Sequence, residues 1–167
     1  MMDIPEQLQD LPANGGIYAI WMLFQHYEVD LEIADLIELC HHNEVEGTST
    51  ISLAVALKQL GLQVSFYSDP DPDLQPTEQW FYSKAEEMNL SIQSSIEYAQ
   101  ILQAIEQGKF VIAYYDTLEG VGNHSLIYSA DSKEVCFFDS FDAMSVDVFE
   151  QQRQVEGICR QVIIIGE

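Results

Sequence analysis

The sequence predicts an α+β fold, with a helical N-terminal lobe packed on a C-terminal antiparallel β-sheet. Three observations carry that expectation. Apolar residues recur at helical spacing through residues 16–60. From Lys109 onward the period changes to two and is sustained over four short apolar runs. Helices come first and strands afterwards, which is the order of a segregated α+β domain rather than an alternating one. No repeat or linker interrupts the chain, so residues 1–167 are expected to form one domain. Within it, 1–61 reads as mainly helical, 62–108 as a strand plus a helical insert, and 109–167 as the sheet lobe.

The elements follow in order. Residues 16–27 distribute Ile17, Ile20, Trp21, Leu23 and Phe24 around most of a helix, so this helix is expected to be buried. A second helix, 31–39, carries Ile33, Leu36 and Ile37, with Asp30 as its expected cap. Gly47, Thr48 and Ser49 introduce a third helix, 51–60, closed by Gly61. Leu62 to Tyr67 alternates as a strand. Asp69 to Asp73 combines two prolines with three aspartates and reads as an exposed acidic loop. Helices are expected over 76–89, with Trp80, Phe81, Ala85 and Met88 on one side, and over 97–107, stopped by Gly108. The runs 110–115, 124–128, 134–139 and 160–165 are the four strands, with a short helix at 146–152.

Composition limits the function classes. Hydrophobic residues make up 47% of the chain, too many for a disordered acidic tail, so a packed core is expected. The net charge is −22, and the cations are six lysines and arginines. Such a field repels phosphate backbones and anionic lipid, so nucleic acid and membrane are not expected as partners, whereas a peptide or basic protein is. An acidic mimic of nucleic acid would rest on the charge alone. No basic-then-apolar leader opens the sequence, and no apolar run reaches the roughly 18 residues of a membrane helix. Cys40, Cys136 and Cys159 form no paired framework. Free thiols suit a reducing compartment, so a cytoplasmic location is expected, with Cys136 and Cys159 buried in strands. Cys40, His41 and His42 are adjacent, but neighbours at i+1 and i+2 do not face one another on a helix. A zinc site would need further ligands, so neither metal nor cofactor is expected.

The turn at Asn14, Gly15 and Gly16 opens the first long helix, which ends at His26 and Tyr27. Gln9 stands six residues before Gly15, while His124 and Asp139 lie far downstream on two neighbouring strand-like runs. This layout resembles the C39 (bacteriocin-processing, double-glycine) family of papain-like cysteine peptidases. In that family a Gln lies six residues before an Asp-Cys-Gly turn, and a His-Tyr-Gly or Tyr-Tyr-Gly ends the helix that follows. Here Asn14 replaces the Asp, Gly15 replaces the Cys and Gly16 matches the Gly. Gly47-Thr48-Ser49 and Leu60-Gly61-Leu62 match the entry and exit of a later helix, and Ser140 stands where a Pro is usual. The insert around residues 69–99 places the chain nearer the broader C39-like group than the transporter-fused peptidases.

The resemblance implies a papain-like, C39-type fold and a set of roles. A thiolate in such a site is favoured by the helix N-terminus and a neighbouring imidazolium, with a carboxylate orienting the base and a Gln side chain in the oxyanion hole. Carried onto this sequence, Gln9 takes the oxyanion hole, His124 the base, Asp139 its orienter, and Gly15 the vacated nucleophile position. Asn14, Gly16 and Asn123 flank it as expected peptide contacts. Gly15 cannot attack a carbonyl, and removing the nucleophile from a unit of this kind costs several orders of magnitude in rate. The expected function is therefore a catalytically inactive domain that holds a leader peptide, a basic toxin or a similar polypeptide. The alternative is an active papain-like cysteine peptidase or amide hydrolase whose nucleophile is a Cys replaced at position 15 or a non-standard residue. Each residue also has a structural reading: His124 as a satisfied core histidine, and Asp139 as the cap of the turn leaving its strand.

Overall fold

The computed structural model describes residues 3–117, 121–140 and 142–166. One seven-stranded sheet, in the order β2-β1-β7-β3-β4-β5-β6, carries helices on both faces. On one face pack α2 (Gly15–His26), α3 (Ile33–Leu39), α4 (Thr50–Gln59) and α5 (Pro76–Glu87). Their partners are Val64 and Phe66 of β1 (Gln63–Ser68), Ile112 of β3 (Phe110–Asp116), Leu126 of β4 (Gly122–Ala130), and Ile163 and Ile165 of β7 (Val162–Gly166). The opposite face carries α6 (Tyr98–Glu106) and α7 (Val146–Arg153), packed on Val111, Ala113, Tyr115, Ile127 and Val162. The alternation along β3 and β7 explains the division, since successive side chains of a strand point to opposite faces.

Apart from a one-turn helix at Glu6–Gln9 that the sequence does not predict, the helices match the expected ones in place and kind, and the α+β character is as the sequence predicts. Ser49 caps α4 by accepting from the Ser52 amide, and Gly61 leaves that helix at φ +98°, which a side chain would resist. Several expectations need correction. Asp30 does not cap α3; it accepts a hydrogen bond from Gln25 Nε2 at 3.1 Å, while Glu32 occupies the cap position. Trp80 is not on the core side of α5 but is 51% exposed and stacks on His41.

The sheet is also wider than the four-stranded expectation. β2 (Ser91–Ser94) pairs parallel to β1, and β1 joins the C-terminal strands through β7, so the middle segment contributes an edge of the sheet. β5 (Glu134–Phe137) and the two-residue β6 (Met144–Ser145) complete the other edge. Neither Cys136 nor Cys159 is fully buried, and Cys159 lies in the turn before β7 with φ +57° rather than in a strand. None of the helices among the described residues is long and apolar enough to cross a membrane.

Candidate functional site

The start of α2 meets the start of β4, and the residues singled out from the sequence converge there in part. A cavity of about 210 Å³ lies at this junction. Its walls include Asn14, Gly15 and Gly16 from the helix start, Glu46 to Thr48 from the loop before α4, Tyr114 of β3, and Gly122 to His124 of β4. His42 fixes two of these walls, reaching Thr48 Oγ1 at 2.8 Å through Nδ1 and donating to the Pro12 carbonyl at 2.9 Å through Nε2. His41 is engaged with Trp80 and Phe81. The neighbouring Cys40 is buried, which pushes its thiol up to about 12. Cys40, His41 and His42 thus perform packing, and among the described residues no His, Cys, Asp and Glu group is arranged to hold a metal ion.

Position 15 has no side chain, and its place is taken. A Cβ built there would fall on Asn123 Oδ1, 3.3 Å from Asn123 Cγ and 3.0 Å from the His124 carbonyl oxygen. The Asn123 carboxamide therefore lies over the helix start. Its Nδ2 faces the other way, donating to Ser125 Oγ at 3.1 Å and Tyr115 Oη at 3.3 Å. Ser125 Oγ donates to Asp139 Oδ2 at 3.0 Å and shares a 2.8 Å bond with Tyr115 Oη, which acts as the donor. Burial raises the Asp139 carboxyl above its ordinary range, and the Ser125 hydroxyl and Asn123 amide partly offset that by hydrogen bonding to the charged form. The result is a connected row from the helix start through Asn123 and Ser125 to Asp139.

His124 is not in that row. One residue along β4, its ring turns to the other side, where Nε2 meets Thr50 Oγ1 at 2.7 Å. Its ring also stacks on that of Tyr114, its cross-strand neighbour, at 4.3 Å between centroids. Burial holds its pKa down at about 3, so the imidazole is neutral at any ordinary pH. Its backbone reaches Gly15; its ring is bonded elsewhere. Gln9 is likewise directed elsewhere. It closes the one-turn helix α1 (Glu6–Gln9), and its Nε2 donates to the Ile4 carbonyl at 2.7 Å. Asn14 Nδ2 donates to the Leu8 carbonyl at 2.8 Å. Gly16 serves close packing, because a Cβ there would stand 3.0 Å from both Leu53 methyls on α4. Thr50, Tyr114, Tyr115 and Ser125 are site residues that sequence reasoning did not single out.

A second cleft, of about 600 Å³, shares Glu46, Gly47, Thr48 and Tyr114 with this cavity. Glu46, Asp71, Asp73 and Glu78 line it, and among the described residues its lining includes no Lys or Arg. Glu78 is raised by burial above all, with Asp71 and Glu46 adding repulsion, although the Gln75 amide hydrogen-bonds to it and pulls the other way.

The model of the peptidase C39 family matches residues 5–139, a span running from before α1 to the acidic residue at the end of the row. The chain belongs to the C39 peptidase family. Among solved structures, this C39 domain is similar to the peptidase domain of Streptococcus ComA, a bi-functional ABC transporter involved in a quorum-sensing pathway. The sequences are 15% identical, with 93% of each chain covered and a TM-score of 0.56, a likeness in fold. No curated protein matches the chain.

The crowding of position 15 by Asn123 leads to a stability prediction. Gly15→Ala is expected to cost about 1 kcal/mol in the natural chain, because the new methyl displaces Asn123 from its two hydrogen bonds. In an Asn123→Ala background the same change is expected to be neutral or up to about 0.5 kcal/mol favourable, as alanine is the better helix former. A double-mutant cycle by urea unfolding measures the coupling. Additive effects would show that the carboxamide does not occupy this space.

Proposed function

We propose that this chain is a catalytically inactive C39-type domain that holds a polypeptide segment without cutting it. The observation that supports the reading is the pairing of Gly15 with Asn123: the nucleophile position carries no reactive atom, and an amide covers it. Cys40 offers no substitute, since it is buried with its thiol held far above neutrality. Open space beside Gly15 is retained, by contrast: the glycine-lined cavity and the carboxylate-lined cleft share Glu46, Gly47, Thr48 and Tyr114. Family members named peptidases act on peptides, which makes a peptide the natural occupant. The net charge of −22 favours a basic one.

Titration calorimetry with extended peptides rich in Lys and Arg, and with charge-reversed controls, tests the reading. The basic peptides are expected to bind, more weakly as salt is raised, and to be recovered with unchanged mass. Shortened products, or equal affinity for the acidic controls, would overturn it.

A further inference from the structure

We infer that position 123, not His124, is the seat of the base in this site, so that the site departs from a working thiol peptidase at two positions rather than one. The inference rests on the reading of Gly15 as the emptied nucleophile position and extends it to the residue beside it.

A base that activates a thiol has to touch two groups at once: the sulfur on one side and an orienting acid on the other. Asn123 is the side chain whose contacts meet both demands. Its Oδ1 lies where a side chain at position 15 would begin, and its Nδ2 faces the Ser125–Asp139 pair. His124 meets neither demand. Strand alternation sends its ring to the opposite side of β4, where Thr50 holds Nε2 and Tyr114 covers the ring face. Bringing that ring round to Gly15 would break both contacts and interchange the faces of β4, exposing the core on which Leu126 packs. A carboxamide has no basicity near neutral pH, so Asn123 fills the base's place without its chemistry. The two departures reinforce one another: Gly15 leaves the room that the Asn123 amide occupies, and that amide can accept no proton from anything placed at position 15.

Rebuilding both groups tests the assignment. In Gly15→Cys/Asn123→His, the thiol proton passes to the new imidazole, Asp139 supports the imidazolium, and the thiolate attacks iodoacetamide, forming a carbon–sulfur bond and releasing iodide. Alkylation at pH 6, read by mass on the peptide containing position 15, is expected to be at least tenfold faster than in Gly15→Cys alone. The midpoint of its pH profile is expected to fall below 7, against about 8.5 for an ordinary thiol. Adding His124→Gln to the pair is expected to leave the rate within about twofold. A smaller variant, Gly15→Cys/Asn123→Ala, guards against a crowded pair that does not fold, and free imidazole added to it should accelerate alkylation at pH 6 beyond its effect on N-acetylcysteine. The assignment is overturned if Gly15→Cys alone reacts fast at pH 6 and His124→Gln slows it. It is equally overturned if the folded pair reacts no faster than the single variant, or if imidazole gives the alanine variant no extra gain. These rates are read in rebuilt variants, so peptide cleavage by the natural chain would refute the proposed function without altering them.

Discussion

Arg153→Ala is expected to lower the stability of the fold by about 3–5 kcal/mol. Arg153 ends α7 and is completely buried, so its charge is compensated wholly by protein groups. Nη1 pairs with Glu150 at 2.7 Å, while Nη2 donates to the carbonyls of Ile96 at 3.1 Å and Arg160 at 3.2 Å. The guanidinium also lies 5.7 Å from the centre of the Phe149 ring. One side chain thus ties α7 to the segment before α6 and to the turn before β7. Truncation leaves two carbonyls without this donor, strips Glu150 of its cation, and opens a void beside Phe149. Arg153→Met is expected to lose distinctly less, because it refills much of the volume and removes the cost of the buried Nε, which has no partner. Urea unfolding of both variants checks this, and a loss under about 1 kcal/mol for the alanine variant would refute the account.

The sequence made the helical half of the fold legible because its signals are local. The Ser49 cap, the Gly61 exit and the apolar spacing of residues 17–24 each act within a few residues, and each is present in the structure. β2 and β6 were not legible for the converse reason. A four-residue strand with one weakly buried position and a two-residue strand exist only through their neighbours, β1 and β5. Nothing local marks Arg153 among the six lysines and arginines, because its role depends on groups as far away as Ile96.

The site divides along the same line. The convergence of Gly15 with the start of β4 and with Asp139 follows from the frame that Gln9, Gly15, His26, His124 and Asp139 mark in the sequence. Which of Asn123 and His124 faces Gly15 does not follow, and the physical reason lies in β4 itself. Leu126 packs against the α2–α5 face and Ile127 against the α6–α7 face, so the strand is buried on both sides. A strand of that kind shows no polar-apolar alternation from which a side could be assigned. His124 is the more reactive residue type and carries the resemblance, whereas the side chain that meets Gly15 is that of its neighbour Asn123. The direction of the Gln9 amide is illegible for a similar reason, since a single helical turn at 6–9 sets it and leaves almost no pattern in the sequence.

Lowering the pH from 7 to 5 is expected to cost the fold about 2 kcal/mol through His124 alone. The folded pKa of about 3 lies well below the ordinary histidine value of 6.5, so the unfolded chain takes up a proton that the native state refuses. The sign follows directly: the contribution is fully present above about 6.5 and is lost as the pH falls toward 3. At pH 5 the loss depends on the unfolded pKa alone, which makes it insensitive to how low the folded value lies. Other groups titrate in acid as well. Asp139, raised by burial, favours the fold as pH falls, and Asp69, lowered chiefly by its hydrogen bond from Arg160, disfavours it. Comparison with His124→Gln cancels both, since glutamine can keep a hydrogen bond to Thr50 and does not titrate. The natural chain is therefore expected to lose about 2 kcal/mol more than the variant between pH 7 and pH 5, measured by urea unfolding at each pH. Equal losses would mean that His124 protonates in the folded state. Such a result would show that its contacts with Thr50 and Tyr114 leave the ring open to a proton.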